Sequence, residues 1–409
     1  MNPGEPPLLK AARWLTFASS AVIVVSIAAS QILLGMALLA LLLSKEKPRL
    51  PAIKWLLGIF LAGTLLAVLL SGNPAAGFPQ VKKIYVFFQL LVAYTLLRDT
   101  QMARWLVMAW AGLGSISAVR GFVQFAQKFY QAMAQHRDFY SAYMGERITG
   151  FMSHWYTFSV LEMLVLIMLG AFIFFSPTAR RLLWLWLALE FFMAFGVLLA
   201  ETRAVWIATV VAALYLTWFW KKWVVATIPL VLGALLILGP HTFRERAESI
   251  VHPGRDDSNA FRTILDRTGV RMIEAHPWFG LGPEMPRKDF MQYVPADVPR
   301  PLPSGSYMHL HNLYLEYAAE RGIPVLLVML AMLGQILWDY AKTLRVLPAG
   351  RSDVRFLLHG GIAVVLAILV EGVADVNLGD SEVLTLFLVV VALGYMAIDV
   401  NRAAEPAAT

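Results

Sequence analysis

The chain has 409 residues, of which 59% are hydrophobic and only 15% are charged, against roughly 45–50% and about 25% in soluble globular domains. That balance excludes a soluble enzyme, a disordered chain and a coiled coil, and the absence of cysteine excludes disulfides, iron–sulfur clusters and thiolate chemistry. The net charge of +7 acquires meaning only when it is mapped onto the two sides of a membrane.

In chain order, the apolar runs predict about twelve membrane spans of roughly 20 residues each. They fall near residues 13–30, 31–44, 55–71, 81–97, 103–126, 153–175, 182–200, 204–220, 223–239, 310–338, 356–374 and 382–399. The second is short, and the first two are open to a reading as one long broken helix. The fold class is therefore an all-α integral membrane protein, divided into spans over 1–239, a large loop over 240–309, and the last spans with a tail over 310–409. The stretch from Lys10 and Arg13 to Ser26, Ile27 and Ala28 has the look of a signal peptide but is read as an uncleaved anchor.

Basic residues orient the spans. With the N-terminus in the cytoplasm, the inner connections carry Lys45, Lys47, Arg49, Lys54, Arg98, Arg104, Arg180, Arg181, Lys221, Lys222, Lys342, Arg345, Arg351 and Arg355, whereas the outer connections at 72–80 and 375–381 carry no Lys or Arg. Both termini are then cytoplasmic. Residues 127–152, with Tyr130, Met133, Phe139, Tyr140 and Tyr143 among polar neighbours, predict an interfacial helix. The loop 240–309 holds nine basic and nine acidic residues, so it is not a polybasic tail. Within it Phe261, Ile264, Leu265, Thr268 and Met272 form one apolar stripe of an amphipathic helix that ends at His276-Pro277. Six prolines predict irregular chain over 281–305.

Arg203 sits at the outer junction of two spans, either as an interfacial arginine or as a phosphate ligand through its planar fork. Arg262 lies on the loop helix away from the stripe, where Asp266 at i+4 is a possible partner. His309, His311, Asn312 and Glu316 open the next span, and histidine is the natural general base near neutral pH. Two histidines at i, i+2 point to different helix faces, so no metal site is signalled. Glu320-Arg321 before Gly322-Ile323-Pro324 is read as ordering the helix. Lys82, Lys83 and Arg147 are further outer cations for an anionic lipid or diphosphate. Arg120, Glu162, Glu190 and Glu371 lie within or near spans, where charges usually pair with one another; a coupling path through them would define a transporter.

Thr202-Arg203-Ala204-Val205-Trp206, then Arg262, then His276-Pro277-Trp278-Phe279-Gly280-Leu281-Gly282, then His311-Asn312-Leu313-Tyr314-Leu315-Glu316 and Glu320-Arg321-Gly322-Ile323-Pro324 together resemble the O-antigen ligase family, within the wider ligase and polymerase superfamily. The motifs cover roughly 195–335. One departure is Asp266, where the family usually carries an aromatic residue. The resemblance implies a glycosyltransferase of GT-C class in the bacterial inner membrane, active at the periplasmic face. It implies a donor, O-antigen on undecaprenyl diphosphate, and an acceptor, the lipid A–core oligosaccharide, with no metal, cofactor or nucleic acid. It carries catalytic roles to Arg203, Arg262 and His311, and leaves a polymerase or a protein O-oligosaccharyltransferase as the nearest alternatives.

Overall fold

The computed structural model describes residues 5–238, 244, 248, 257–302, 307–348 and 350–404, without the side chains of 257–260. Among them every regular element is helical. In chain order these are α1 (Pro7–Val22), α2 (Ile27–Ser44), α3 (Lys54–Leu70), α4 (Phe78–Lys82), α5 (Phe88–Leu96), α6 (Thr100–Ala134), α7 (Phe139–Gly145), α8 (Trp155–Phe175), α9 (Leu183–Leu199), α10 (Arg203–Trp220), α11 (Thr227–Leu238), α12 (Asp257–Ala275), α13 (Met285–Tyr293), α14 (Leu313–Arg321), α15 (Ile323–Val346), α16 (Ser352–Glu371) and α17 (Ser381–Ala404).

Eight helical segments among the described residues are long and apolar enough to cross a membrane, and α3 and the 222–238 segment are shorter apolar helices. The two remaining expected spans have other forms. The first is the 16-residue α1, separated from α2 by a break at 23–26, where Ser26 caps α2 by accepting from the Ala29 amide. The other, near 81–97, is α4, a tight helical turn over Lys83–Phe87, and α5. The span expected over 310–338 is likewise two elements. Gly322 at φ +83° ends α14, and Pro324, which has no amide proton to donate, sits in the first turn of α15.

The most enclosed helices are α8, α16 and α17, which form the centre of the bundle, while α9, α10 and α15 leave most of their surface outward. Lateral apolar side chains such as Trp184, Leu232 and Ile237 stay exposed, as lipid-facing positions require. Expected charge pairing inside the spans is not what the described residues show. Arg120 lies over the Phe151 ring at 4.4 Å. The carboxyls of Glu162 and Glu190 are buried, and both oxygens of Glu162 and Oε2 of Glu190 lack a hydrogen-bond partner. Gly114 and Gly170 make room for them: a Cβ at either position would come within 3.2 Å of a carboxyl oxygen.

Hydrogen bonds sort the connections into two sets at opposite ends of the helices. At one end Arg49 binds Asp399, Arg98 binds Glu46, Thr100 meets Asp353 and Arg104 meets Thr178. At the other, Gln80 binds Glu284, Lys83 binds the Gly379 carbonyl and Arg147 reaches the Glu201 carbonyl. The two sets divide the connections as the order of the spans does. The predicted interfacial helix over 127–152 is instead the last turns of α6 followed by α7, with Tyr143 buried and Tyr130 exposed.

Candidate functional site

The loop helix α12 buries the stripe the sequence laid out: Leu265, Thr268 and Met272 are fully enclosed, with Phe261 and Ile264 packed beside them. Residues 281–305 are not wholly irregular, because Met285–Tyr293 form α13. Pro286 stands in its first turn, where an amide proton would have no helical partner to begin with.

The two glycine-bearing motifs are each other's packing surface. The Leu281 and Gly282 amides donate to the Ala319 and Glu320 carbonyls, and the Ile323 amide donates to the Pro277 carbonyl. A Cβ on Gly280 would lie 2.3 Å from the Glu320 carbonyl carbon, and one on Gly322 would lie 2.2 Å from the Trp278 carbonyl oxygen. Beneath this seam Glu320 pairs with buried Arg321, whose guanidinium lies over the Tyr317 ring, and the other Glu320 oxygen accepts from the Glu284 amide at 2.7 Å. The ordering role read for Glu320-Arg321 extends to fastening the loop onto α14.

The loop thus closes over the outer-set ends of the helices and encloses a cavity of about 640 Å³. Its walls include Arg203, Arg262 and His311, together with Lys83, Arg147, His309 and Glu316. Lys82 does not line it; its ammonium lies over the exposed Phe78 ring at 4.9 Å. Asn312 does not line it either. Its side-chain oxygen accepts from the Tyr314 and Leu315 amides and caps α14.

His311 is held from several sides in a left-handed backbone conformation, φ +48°. The Leu310 amide donates to Glu316 at 2.8 Å, Asn312 caps the helix, and the Leu313 amide donates to the Gly372 carbonyl. Its imidazole Nδ1 lies 3.2 Å from Asp375 Oδ1, with the Phe261 ring 6.1 Å away. Burial by itself would raise Asp375, but the His311 hydrogen bond, the Val376 amide and the Arg262 charge outweigh it and hold the carboxyl below its ordinary value. A carboxylate at Nδ1 fixes the neutral tautomer with its proton there and leaves Nε2 as the basic nitrogen. Sequence reading missed Asp375, one of two acids in a short connection, 64 positions from its partner.

Arg203 is the first residue of α10, directly after Glu201 at φ +48° and Thr202, and so reaches the cavity from a helix N-terminus. Arg147 spans between the Glu201 carbonyl and the Trp155 ring. Lys83 is anchored on the Gly379 carbonyl at 2.9 Å. Asp266 is close enough to feel the Arg262 charge, although burial is the larger influence and raises its carboxyl. Burial also lowers His309, with the His311 charge adding to the effect. Further walls that carried no sequence motif are His154, Tyr156, Thr157, Glu371, Asp375 and Asp380. The Tyr156 hydroxyl and the Asn377 amide both donate to one oxygen of Glu371, and Thr157 donates to Asp380.

Fold and site together define a helical protein of membrane-spanning composition, with guanidinium groups and a carboxylate-oriented imidazole turned into one chamber beneath an amphipathic loop helix. Residues 187–330 match the family model Wzy_C, described as O-Antigen ligase. A comparison with curated proteins finds no match. The family implies a glycosyltransferase-type enzyme of the O-antigen pathway, working on polysaccharide and lipid substrates in a membrane.

Proposed function

We propose that this chain is an O-antigen ligase of the bacterial inner membrane, which transfers the polysaccharide from undecaprenyl diphosphate to a hydroxyl of the lipid A–core oligosaccharide at the periplasmic face. The observation that carries the reading is the single cavity lined by Arg203, Arg262 and His311, which come from α10, the loop helix and the turn before α14.

In this reading the sugar hydroxyl gives its proton to His311 Nε2 as its oxygen attacks the anomeric carbon. The bond from that carbon to the diphosphate breaks, and its electron pair leaves with the phosphate oxygen. A general base placed in this way contributes about 10²–10⁴ in rate. Arg203 and Arg262 stabilise the charge that builds on the leaving diphosphate, each on the order of 10²–10³. Asp375 touches no substrate; it is a positioning residue that holds the tautomer and offsets the imidazolium charge. Attack opposite the leaving group inverts the anomeric centre, and NMR of the new linkage reads this directly. Two lipid-anchored substrates reach one chamber by lateral diffusion, and holding them there replaces encounter from solution.

Complementation of a ligase-deficient strain, scored by the lipopolysaccharide ladder, is expected to succeed with the wild-type chain and fail with His311→Ala at equal membrane abundance. A ladder that persists with His311→Ala overturns the mechanism. Purified protein that extends a second lipid-linked glycan, but leaves lipid A–core unmodified, reassigns it as a polymerase.

A further inference from the structure

His154 ends the connection before α8 and lines the cavity, with its side chain exposed there. Its ring lies on Trp155, with centroids 4.0 Å apart. Its Nδ1 accepts a hydrogen bond from the Tyr156 amide at 3.2 Å, which caps the helix. A ring nitrogen that accepts cannot carry the proton, so the neutral imidazole bears it on Nε2. Nε2 makes no hydrogen bond among the described residues. Burial is the largest influence on His154 and lowers it, Asp375 and Asp380 act in the opposite direction, and the Arg147 and His311 charges reinforce the lowering.

His311 has the reverse arrangement. Its Nδ1 faces a carboxylate, so its Nε2 is bare. The cavity is therefore offered two imidazoles of opposite polarity, one accepting a proton and the other donating a hydrogen bond. The donating ring stands where the carboxylates of Asp375 and Asp380 meet the Arg147 guanidinium. Arg147 stacks on the adjacent Trp155 and reaches the Glu201 carbonyl, two residues before Arg203. An N–H donor beside the Arg147 guanidinium suits an anionic oxygen.

We propose that His154 is a substrate-binding residue whose Nε2–H donates to a phosphate oxygen of the leaving diphosphate. This rests on the reaction inferred above and adds to it a neutral donor beside the arginines. A neutral donor orients the anion without adding to the binding of product through a further full charge.

The test separates the two ring nitrogens. In His154→Asn the short side chain keeps an oxygen near the Nδ1 position, able to take the Tyr156 amide as an N-cap, and removes the donor. His154→Gln puts an amide N–H near the Nε2 position. Binding of undecaprenyl diphosphate to the full-length protein in nanodiscs is expected to weaken about 10- to 100-fold in His154→Asn, the range of one hydrogen bond to a charged group. It should return to near wild type in His154→Gln, with the KM for lipid A–core unchanged in both. Should the asparagine variant melt early, His154→Gln against His154→Glu, a donor against an acceptor of equal length, makes the same comparison.

Unchanged diphosphate affinity in His154→Asn overturns the inference, and so does a change confined to the KM for lipid A–core. If the wild-type protein transfers glycan and His154→Asn binds diphosphate normally, only this assignment falls. If the wild-type protein transfers nothing yet His154→Asn loses diphosphate binding, the site stands and the ligase reading falls.

Discussion

At the residue scale the centre of the molecule is His311, a non-glycine residue at φ +48°. Such a conformation costs of the order of 1–3 kcal/mol and persists only where surrounding bonds impose it. Here the bonds of Leu310, Asn312 and Leu313 impose it and deliver the ring to Asp375. Asp375→Asn keeps the shape and removes the carboxylate. It is expected to lower kcat on the order of 10²–10⁴, with little change in KM, in the transfer assay. A variant with full kcat would remove Asp375 from the mechanism.

Glu316 supports the same turn at a cost that depends on pH. Burial and, after it, the Glu320 charge push its carboxyl from 4.5 up to about 8. Between those values the folded chain keeps a proton that the unfolded chain releases, so its contribution to stability falls as pH rises through the window. Glu316→Gln has no such term. Its melting temperature relative to wild type should therefore climb from pH 5 to pH 8, and thermal melts in detergent that show a constant difference would contradict the assignment.

At the element scale, the loop helix is fixed by its stripe and by the seam between the Gly280 and Gly322 turns. Met272 is wholly enclosed in the loop's own small core. Met272→Ala should cost about 2–5 kcal/mol of local stability and loosen the element that carries Arg262. Hydrogen exchange is expected to rise across 257–275 and not in α8. Gly322→Ala places a methyl 2.2 Å from the Trp278 carbonyl oxygen at a positive φ. It should reduce folded protein in the membrane, measured by fluorescence-detected gel filtration, where Gly334→Ala in open surroundings does not.

At the scale of the whole molecule, sidedness governs function, since substrates of this size must enter from the face on which the cavity opens. The chain has no cysteine, so single introduced thiols report without background. Val373, exposed at the cavity end, and Lys222, exposed at the opposite end, make the pair. A membrane-impermeant maleimide applied from the periplasmic side should label Val373→Cys and spare Lys222→Cys until the inner membrane is opened. The reverse pattern would invert the topology and remove the proposed reaction from its substrates.

Most of the spans were legible in the sequence because the solvent for each is hydrocarbon, and a helix that satisfies its own backbone in hydrocarbon writes its length as an apolar run. The loop helix was legible from its 3.6-residue stripe. Arg203, Arg262 and His311 could be singled out because each is a polar residue in a motif beside an apolar run. What the sequence could not disclose was contact between distant segments. Asp375 and His154 stand in no motif, and their chemistry depends on which nitrogen faces which neighbour. The roles of Gly280 and Gly322 depend on a carbonyl some forty residues away. The capping role of Asn312 and the outward turn of Lys82 are also decided by packing. One-dimensional patterns record the solvent that each residue meets, whereas a reaction site is a matter of angles and distances that only the packed helices set.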